Sequence, residues 1–227
     1  MGSQPGSTDG TATKTWSELD EPWREAFRQA WEALRSNNVP VGACASTPEG
    51  EIVRSSRNRV IDADGPAGEI FGSSLAHAET NVLAGLRFRT FRDLVLTTTL
   101  QPCIQCAAAI RMGPVSTVRF AGADHYWDGC HDFAKLSARE ANRLPATRIG
   151  PRRDELGLFA TVISRIGPAL MPPYEEALRA IGDGPIVDLV HRLDAEGEVE
   201  RLKAMEVSKA FESLWPRLRL LRDQVAG

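Results

Sequence analysis

The sequence predicts an α/β fold: a three-layer α/β/α sandwich followed by a helical C-terminal extension. Three observations predict it. Apolar residues recur every three to four positions in some segments and lie in short β-rich runs in others. Between about residues 20 and 121 these segments run in the order α-β-β-α-β-α-β, with helices and strands alternating in the later part. Beyond Pro145 only helical periods remain.

Each element has a local reason. Residues 1–15 are rich in Gly, Ser and Thr and carry no apolar period, so they read as a flexible tail. A helix should start near Asp20, with Pro22 in its first turn, and place Trp23, Phe27, Ala30, Trp31 and Leu34 on one face. It should end by Asn37 and Asn38, ahead of Pro40. Val41–Ser46 and Glu51–Arg57 read as strands joined by the turn Thr47-Pro48-Glu49-Gly50. A loop with Gly65, Pro66, Gly68 and Gly72 runs from Asn58 to Ser74. There follow a helix near 75–86, a strand at 94–99, a helix near 103–112 and a strand at 117–121. Further helices are expected at 156–166, 174–181, 186–193 and 207–225. The domain division is therefore a tail at 1–15, a domain at 16–145 and a helical region at 146–227.

Composition narrows the function classes. Of 227 residues, 42% are hydrophobic and 25% charged, which is the balance of a folded globular chain. The net charge of −3 excludes a basic nucleic-acid coat. No run approaches the roughly 18 apolar residues of a membrane helix. The first fifteen residues lack the apolar core of a secretory signal, so a cytoplasmic location is expected. Four cysteines, at 44, 103, 106 and 130, are too few for a disulfide scaffold.

Three short pieces carry chemistry. His77-Ala78-Glu79 opens one predicted helix, and Pro102-Cys103-Ile104-Gln105-Cys106 opens the next. Asn58 ends the second strand. Thiols at i and i+3 on a first helical turn point to one side, and a helix N-terminus favours their thiolate form. With a histidine from the neighbouring helix they make a three-ligand tetrahedral zinc site whose fourth position is open to water. Zinc brings the pKa of such a water toward neutrality. Glu79, off the metal but beside it, is placed to take that water's proton and later protonate a leaving amine. A structural zinc would want a fourth protein ligand, for which His125, Cys130 and His131 are the candidates.

The pattern His-x-Glu followed by Pro-Cys-x-x-Cys is that of zinc deaminases. Over roughly residues 20–145 the chain resembles the cytidine-deaminase-like superfamily. His77-Ala78-Glu79 and Pro102-Cys103-x-x-Cys106-Ala107-Ala108-Ala109-Ile110 look most like the branch of tRNA adenosine deaminases and bacterial guanine deaminases, with fungal cytosine deaminase a cousin. The resemblance implies one Zn²⁺ on His77, Cys103 and Cys106, and Glu79 as proton shuttle. It also implies Asn58 as a hydrogen-bond partner of the base, and backbone N–H groups around Ala78 and Cys103 at the reacting centre. A homodimer is implied too.

The segment Asp124-His125-Tyr126-Trp127-Asp128-Gly129-Cys130-His131-Asp132-Phe133 is dense in reactive side chains. Trp127 is the candidate for stacking on a base, and Asp128 or Asp132 for holding an amino or imino group. Cys44 and the tryptophans at 16, 23, 31 and 215 read as core. Arg139, Arg143, Arg148, Arg152 and Arg153 face only Glu140 locally, a cluster open to phosphate or to solvent. The expected activity is hydrolytic deamination of an amino-bearing nucleobase or nucleoside, a small purine-type compound first. The mild acidity argues against the strongly basic surface of a tRNA enzyme. Adenosine in tRNA, cytosine or cytidine, and a zinc-bearing binding protein without turnover are the alternatives.

Overall fold

The computed structural model describes residues 9–133, 138, 146–167 and 173–225. A five-stranded mixed sheet forms the middle layer, in the order β2-β1-β3-β4-β5. Its strands are β1 (Gly42–Ser46), β2 (Ile52–Arg57), β3 (Leu94–Leu100), β4 (Val115–Gly122) and β5 (Thr147–Ile149). The β1–β2 hairpin is antiparallel, β1 runs antiparallel to β3, and β3, β4 and β5 are parallel. Parallel strands need crossovers, and α4 (Ile104–Met112) is the one between β3 and β4. The strand β5 was not expected. It is three residues long and, among the described residues, pairs only with β4, so its sequence carries too few positions to show a period. The sheet thus crosses the division drawn at 145/146.

Alternation along the strands sends side chains to two cores. Ala43, Ala45, Leu94, Leu96 and Leu100 meet Ala78 and Val82 of α3 (Ala78–Ala84) and Ile110 of α4. The opposite face is covered by α2 (Glu21–Arg35) and α5 (Glu155–Ser164). α2 begins as its sequence implies, with Asp20 Oδ1 accepting the Trp23 N–H at 3.1 Å. Its helix lies so close to β1 that a Cβ on Gly42 would sit 2.2 Å from the Ala26 carbonyl oxygen. We expect Gly42→Ala to cost about 1–3 kcal/mol through this overpacking, read as a lower denaturation midpoint in urea.

The C-terminal helices complete this second core. They are α6 (Tyr174–Ala180), α7 (Gly184–Ala195), α8 (Glu198–Lys203) and α9 (Val207–Val225), of which α8 was not foreseen. Phe159 of α5 lies 5.9 Å from Phe27, 6.1 Å from Trp31 and 5.3 Å from Phe211 of α9, centroid to centroid. Edge-on, tilted and stacked ring contacts at these distances add to the area they bury. The helical extension and the sheet domain therefore share one apolar core.

The expected tail needs correction from residue 9 onward; residues 1–8 lie outside the described residues. α1 (Asp9–Ser17) is helical, Ala12 is fully buried, and Trp16 packs 5.6 Å from Phe27 and 5.9 Å from Phe211. Among the described residues, no helix is long and apolar enough to cross a membrane.

Candidate active site

Two helix N-termini converge beneath the carboxyl end of β3. His77 caps α3 with extended backbone (φ −74°, ψ 152°), which puts Glu79 in the first turn. Cys103 caps α4 in the same way (φ −68°, ψ 176°), which puts Cys106 in its first turn. Neither cap is closed by its own side chain, so both side chains are free to face each other. His77 Nδ1 lies 3.4 Å from Cys103 Sγ and 3.5 Å from Cys106 Sγ. Among the described residues these three form the metal-competent cluster, with all ligand atoms within 4.8 Å of one another. Tetrahedral zinc with ordinary Zn–N and Zn–S bonds would set its N···S edges at about 3.6 Å. The donor set and its spacing fit zinc. His125, Cys130 and His131 do not join it; Cys130 Sγ instead contacts the Pro102 carbonyl at 3.5 Å.

Electrostatics follow from this crowding. The Cys106 contact, together with the donor group of His77, holds the Cys103 thiol down to about 4 despite burial. Cys106 moves the other way, well above the ordinary thiol range, through the neighbouring Cys103 and its own burial. Glu79 is buried, and burial raises its pKa, with the Cys103 thiolate adding to the rise. Its two oxygens have different partners. Oε1 accepts from Thr98 Oγ1 at 3.0 Å, and Oε2 lies 3.3 Å from Cys106 Sγ. One oxygen is anchored to the sheet while the other stands at the tripod.

A cavity of about 460 Å³ opens on these groups. That volume suits a small molecule. Val39, Val41, Val60 and Leu100 make its apolar walls, and Asn58, His77, Glu79, Cys103 and Cys106 line it as well. Asn58 is 4% exposed, and its Oδ1 accepts the Val60 N–H at 3.1 Å. That bond leaves Nδ2 as the donor it can turn to a ligand. Ala78 is fully buried in the core between His77 and Glu79, and what it offers the site is backbone. Trp127 lines the wall, at the end of a single 3₁₀ turn, His125–Trp127.

Asp128 is a correction. It is absent from the cavity wall: its side chain is 61% exposed, its Oδ1 accepts from Gln101 Nε2 at 3.0 Å, and its Oδ2 pairs with His125 Nδ1 at 3.1 Å. The 3₁₀ turn swings the chain outward immediately after Trp127. Asp132 is exposed and likewise not on the wall. The acid of this segment that does line it is Asp124, 3% exposed, joined by Gln101, Ser164, Arg165, Pro173 and Tyr174. Arg165 donates to Asp124 Oδ1 at 3.0 Å, to Asp183 Oδ2 at 3.2 Å and to Tyr174 Oη at 3.3 Å. The C-terminal region thus supplies part of the wall from the same chain. Of the expected arginine cluster, Arg139 and Arg143 lie outside the described residues. Arg148 stacks 4.9 Å over Phe120, and Arg152 is ion-paired with Asp154.

The sequence shows the model of one family here. Residues 17–121 match the cytidine and deoxycytidylate deaminase zinc-binding region. That match spans 105 of the 227 residues. Among curated relatives it is 30% identical over 141 residues to tRNA-specific adenosine deaminase 2 of Danio rerio, a match covering 58% of this chain and 60% of that protein. To the tRNA-specific adenosine deaminase of Aquifex aeolicus it is 31% identical over 103 residues, covering 44% of this chain and 62% of that one. Among solved structures, a guanine deaminase from Nitrosomonas europaea aligns with a TM-score of 0.46 at 17% identity, over 73% of this chain and 94% of that one. The match to the family model ends at Ala121, so Asp124, Trp127, Arg165 and Tyr174 all stand beyond it.

Proposed function

We propose that the protein is a zinc-dependent hydrolytic deaminase acting on an amino-bearing nucleobase or nucleoside, with a small purine-type compound first among its substrates. The observation that carries this reading is the buried Glu79 carboxylate, placed between Thr98 and the His77/Cys103/Cys106 tripod at the floor of a ligand-sized cavity. Zinc, when bound, supplies Lewis-acid activation of water at neutral pH.

This chain's own residues do the rest. Glu79 Oε2 accepts a proton from the attacking water and delivers it to the ring nitrogen beside the reacting carbon. A second transfer through the same oxygen protonates the amine. A C–O bond forms, the C–N bond breaks, and ammonia leaves an oxo group behind. Burial suits Glu79 to this duty, because a carboxyl whose pKa is raised holds a proton more readily between the two transfers. Thr98 keeps Oε1 fixed, so only Oε2 turns between water and ring. Asn58 Nδ2 orients the ring by donating to an acceptor on its edge, and Trp127 supplies an apolar wall.

Support for a small substrate is the cavity's size and the way Pro173 and Tyr174 of the C-terminal region wall it in. A second reading, adenosine in tRNA, is favoured by the curated relatives, which are tRNA-specific adenosine deaminases. Cytosine or cytidine is a third, and a zinc-bearing binding protein without turnover is the reading from another class. The proposal includes a homodimer and a cytoplasmic location. The test is ammonia release from guanine, adenine, cytosine, their nucleosides and tRNA, with wild type beside Glu79→Ala. Glu79-dependent release from a small amine supports the proposal; release from tRNA alone transfers it to the second reading, and none from any of them to the non-enzyme reading. Asn58→Ala should raise KM and lower kcat for the same compound, because the ring loses an orienting donor. Unchanged kinetics would remove Asn58 from the site.

A further inference from the structure

At the end of the sheet opposite the cavity, the loop from Arg87 to Asp93 presents Arg87-Phe88-Arg89-Thr90-Phe91-Arg92. The cavity lies at the carboxyl end of β3 and this loop precedes its first residue. Seven residues of strand, about 20 Å, separate the two. The two phenylalanines have opposite fates. Phe91 packs on the core beneath the sheet and ties the loop down. Phe88 is 87% exposed, the most exposed large apolar side chain among the described residues. The Arg89 guanidinium lies 5.0 Å from the centroid of the Phe88 ring, and Arg89 is held at φ +62°, a conformation that L side chains rarely adopt.

The loop concentrates charge, with three arginines in six residues. Arg28, Arg57, Arg59, Arg179, Arg217 and Arg222 are each ion-paired with a carboxylate. Arg87, Arg89 and Arg92 are exposed, and among the described residues none of the three has a carboxylate partner. They rim a groove of about 760 Å³ that also takes in Leu83, Leu86, Val115 and Met112. A flat exposed ring between unpaired arginines is the arrangement that accepts a stacked base while cations track the phosphates on either side. An acidic peptide would satisfy the arginines but would leave the face of Phe88 without a flat partner.

We infer that the Arg87–Arg92 face binds single-stranded nucleic acid, by stacking on Phe88 and phosphate contacts to Arg87, Arg89 and Arg92. The inference is independent of the substrate of the zinc site, since no residue of this face lines that cavity. The test is fluorescence anisotropy of a labelled single-stranded RNA of about 12 nucleotides with the full-length protein, across a salt series. Three phosphate contacts give a slope of log K against log salt of about −2, and Arg87→Ala/Arg89→Ala should reduce it to about −0.7. Phe88→Ala should weaken binding roughly five-fold or more at unchanged slope, as expected for one lost stacking partner. Zinc content and ammonia release, measured on the same samples, should not move. No RNA binding at low salt, or equal binding by all three proteins, overturns the inference. So does polyglutamate or an anionic vesicle binding with the same loss on Phe88→Ala, which would give the face to an acidic protein or a membrane surface. A failure of the deaminase reading would appear separately, as absent ammonia release with RNA binding intact.

Discussion

Glu79→Gln should lower kcat for ammonia release by at least roughly 10²- to 10⁴-fold while leaving one zinc per chain. Glutamine has nearly the shape of glutamate, and its carbonyl oxygen can still accept from Thr98 Oγ1, now at 3.0 Å from Glu79 Oε1. What it lacks is a second oxygen able to take up a proton where Glu79 Oε2 stands, 3.3 Å from Cys106 Sγ. Neither His77 nor the two cysteines change, so the metal site should stay intact. The paired measurement, kcat beside zinc content, separates the two ways this residue could matter. A fall in kcat with zinc retained assigns it proton transfer. A fall that tracks zinc loss would make it a support of the tripod. Turnover near the wild-type rate would end its role as shuttle and leave the buried carboxylate without a chemical task.

The parts of the site that were legible in the sequence are those that chain neighbours build. His77 with Glu79, and Cys103 with Cys106, each sit on one first helical turn, and a helix converts their spacing directly into a shared direction. The other wall is assembled from afar. Thr98 meets Glu79 across 19 positions, Arg165 meets Asp124 across 41, and Tyr174 comes from beyond both. Thr98 did leave a trace, as a polar residue on the face of β3 that otherwise buries Leu94, Leu96 and Leu100. Nothing comparable marks Arg165, which closes an apolar helix and has no local carboxylate. Asp128 follows Trp127 directly in sequence, yet the 3₁₀ turn leaves Trp127 on the wall and Asp128 in solvent, a parting that no local pattern marks. α1 escaped notice for the converse reason: Asp9–Ser17 has little helical preference or apolar period, and it is held by the docking of Ala12 and Trp16 on a core built elsewhere.

Arg165→Met should lower the melting temperature by on the order of 10 °C. The side chain is 1% exposed and its guanidinium stands between the buried carboxylates of Asp124 and Asp183, 4% and 7% exposed. Methionine fills much of the same space but leaves both acids without a cation, and stranding a buried charge in this way costs about 3–5 kcal/mol. For a chain of this length each kcal/mol moves the midpoint by roughly 2–4 °C. Acidity gives the effect a sign that packing loss would lack. Burial already holds the pKa of Asp124 above its ordinary 3.8, with Arg165 pulling it back. Without Arg165 the folded state binds that proton more tightly still than the unfolded chain does. Stability is then lost as pH rises through the raised value, and below the ordinary carboxylate value the Asp124 contribution to the deficit vanishes. The gap between variant and wild type should therefore be widest at neutral pH and narrow on acidification. Arg165→Lys, which keeps the charge but has fewer donors for Asp124, Asp183 and Tyr174, should recover part of it. Because Tyr174 and Pro173 line the cavity, KM should rise in the methionine variant more than kcat falls. A gap of constant size at every pH would show that Arg165 acts as volume alone, and that the C-terminal wall of the cavity is held by the apolar core rather than by charge.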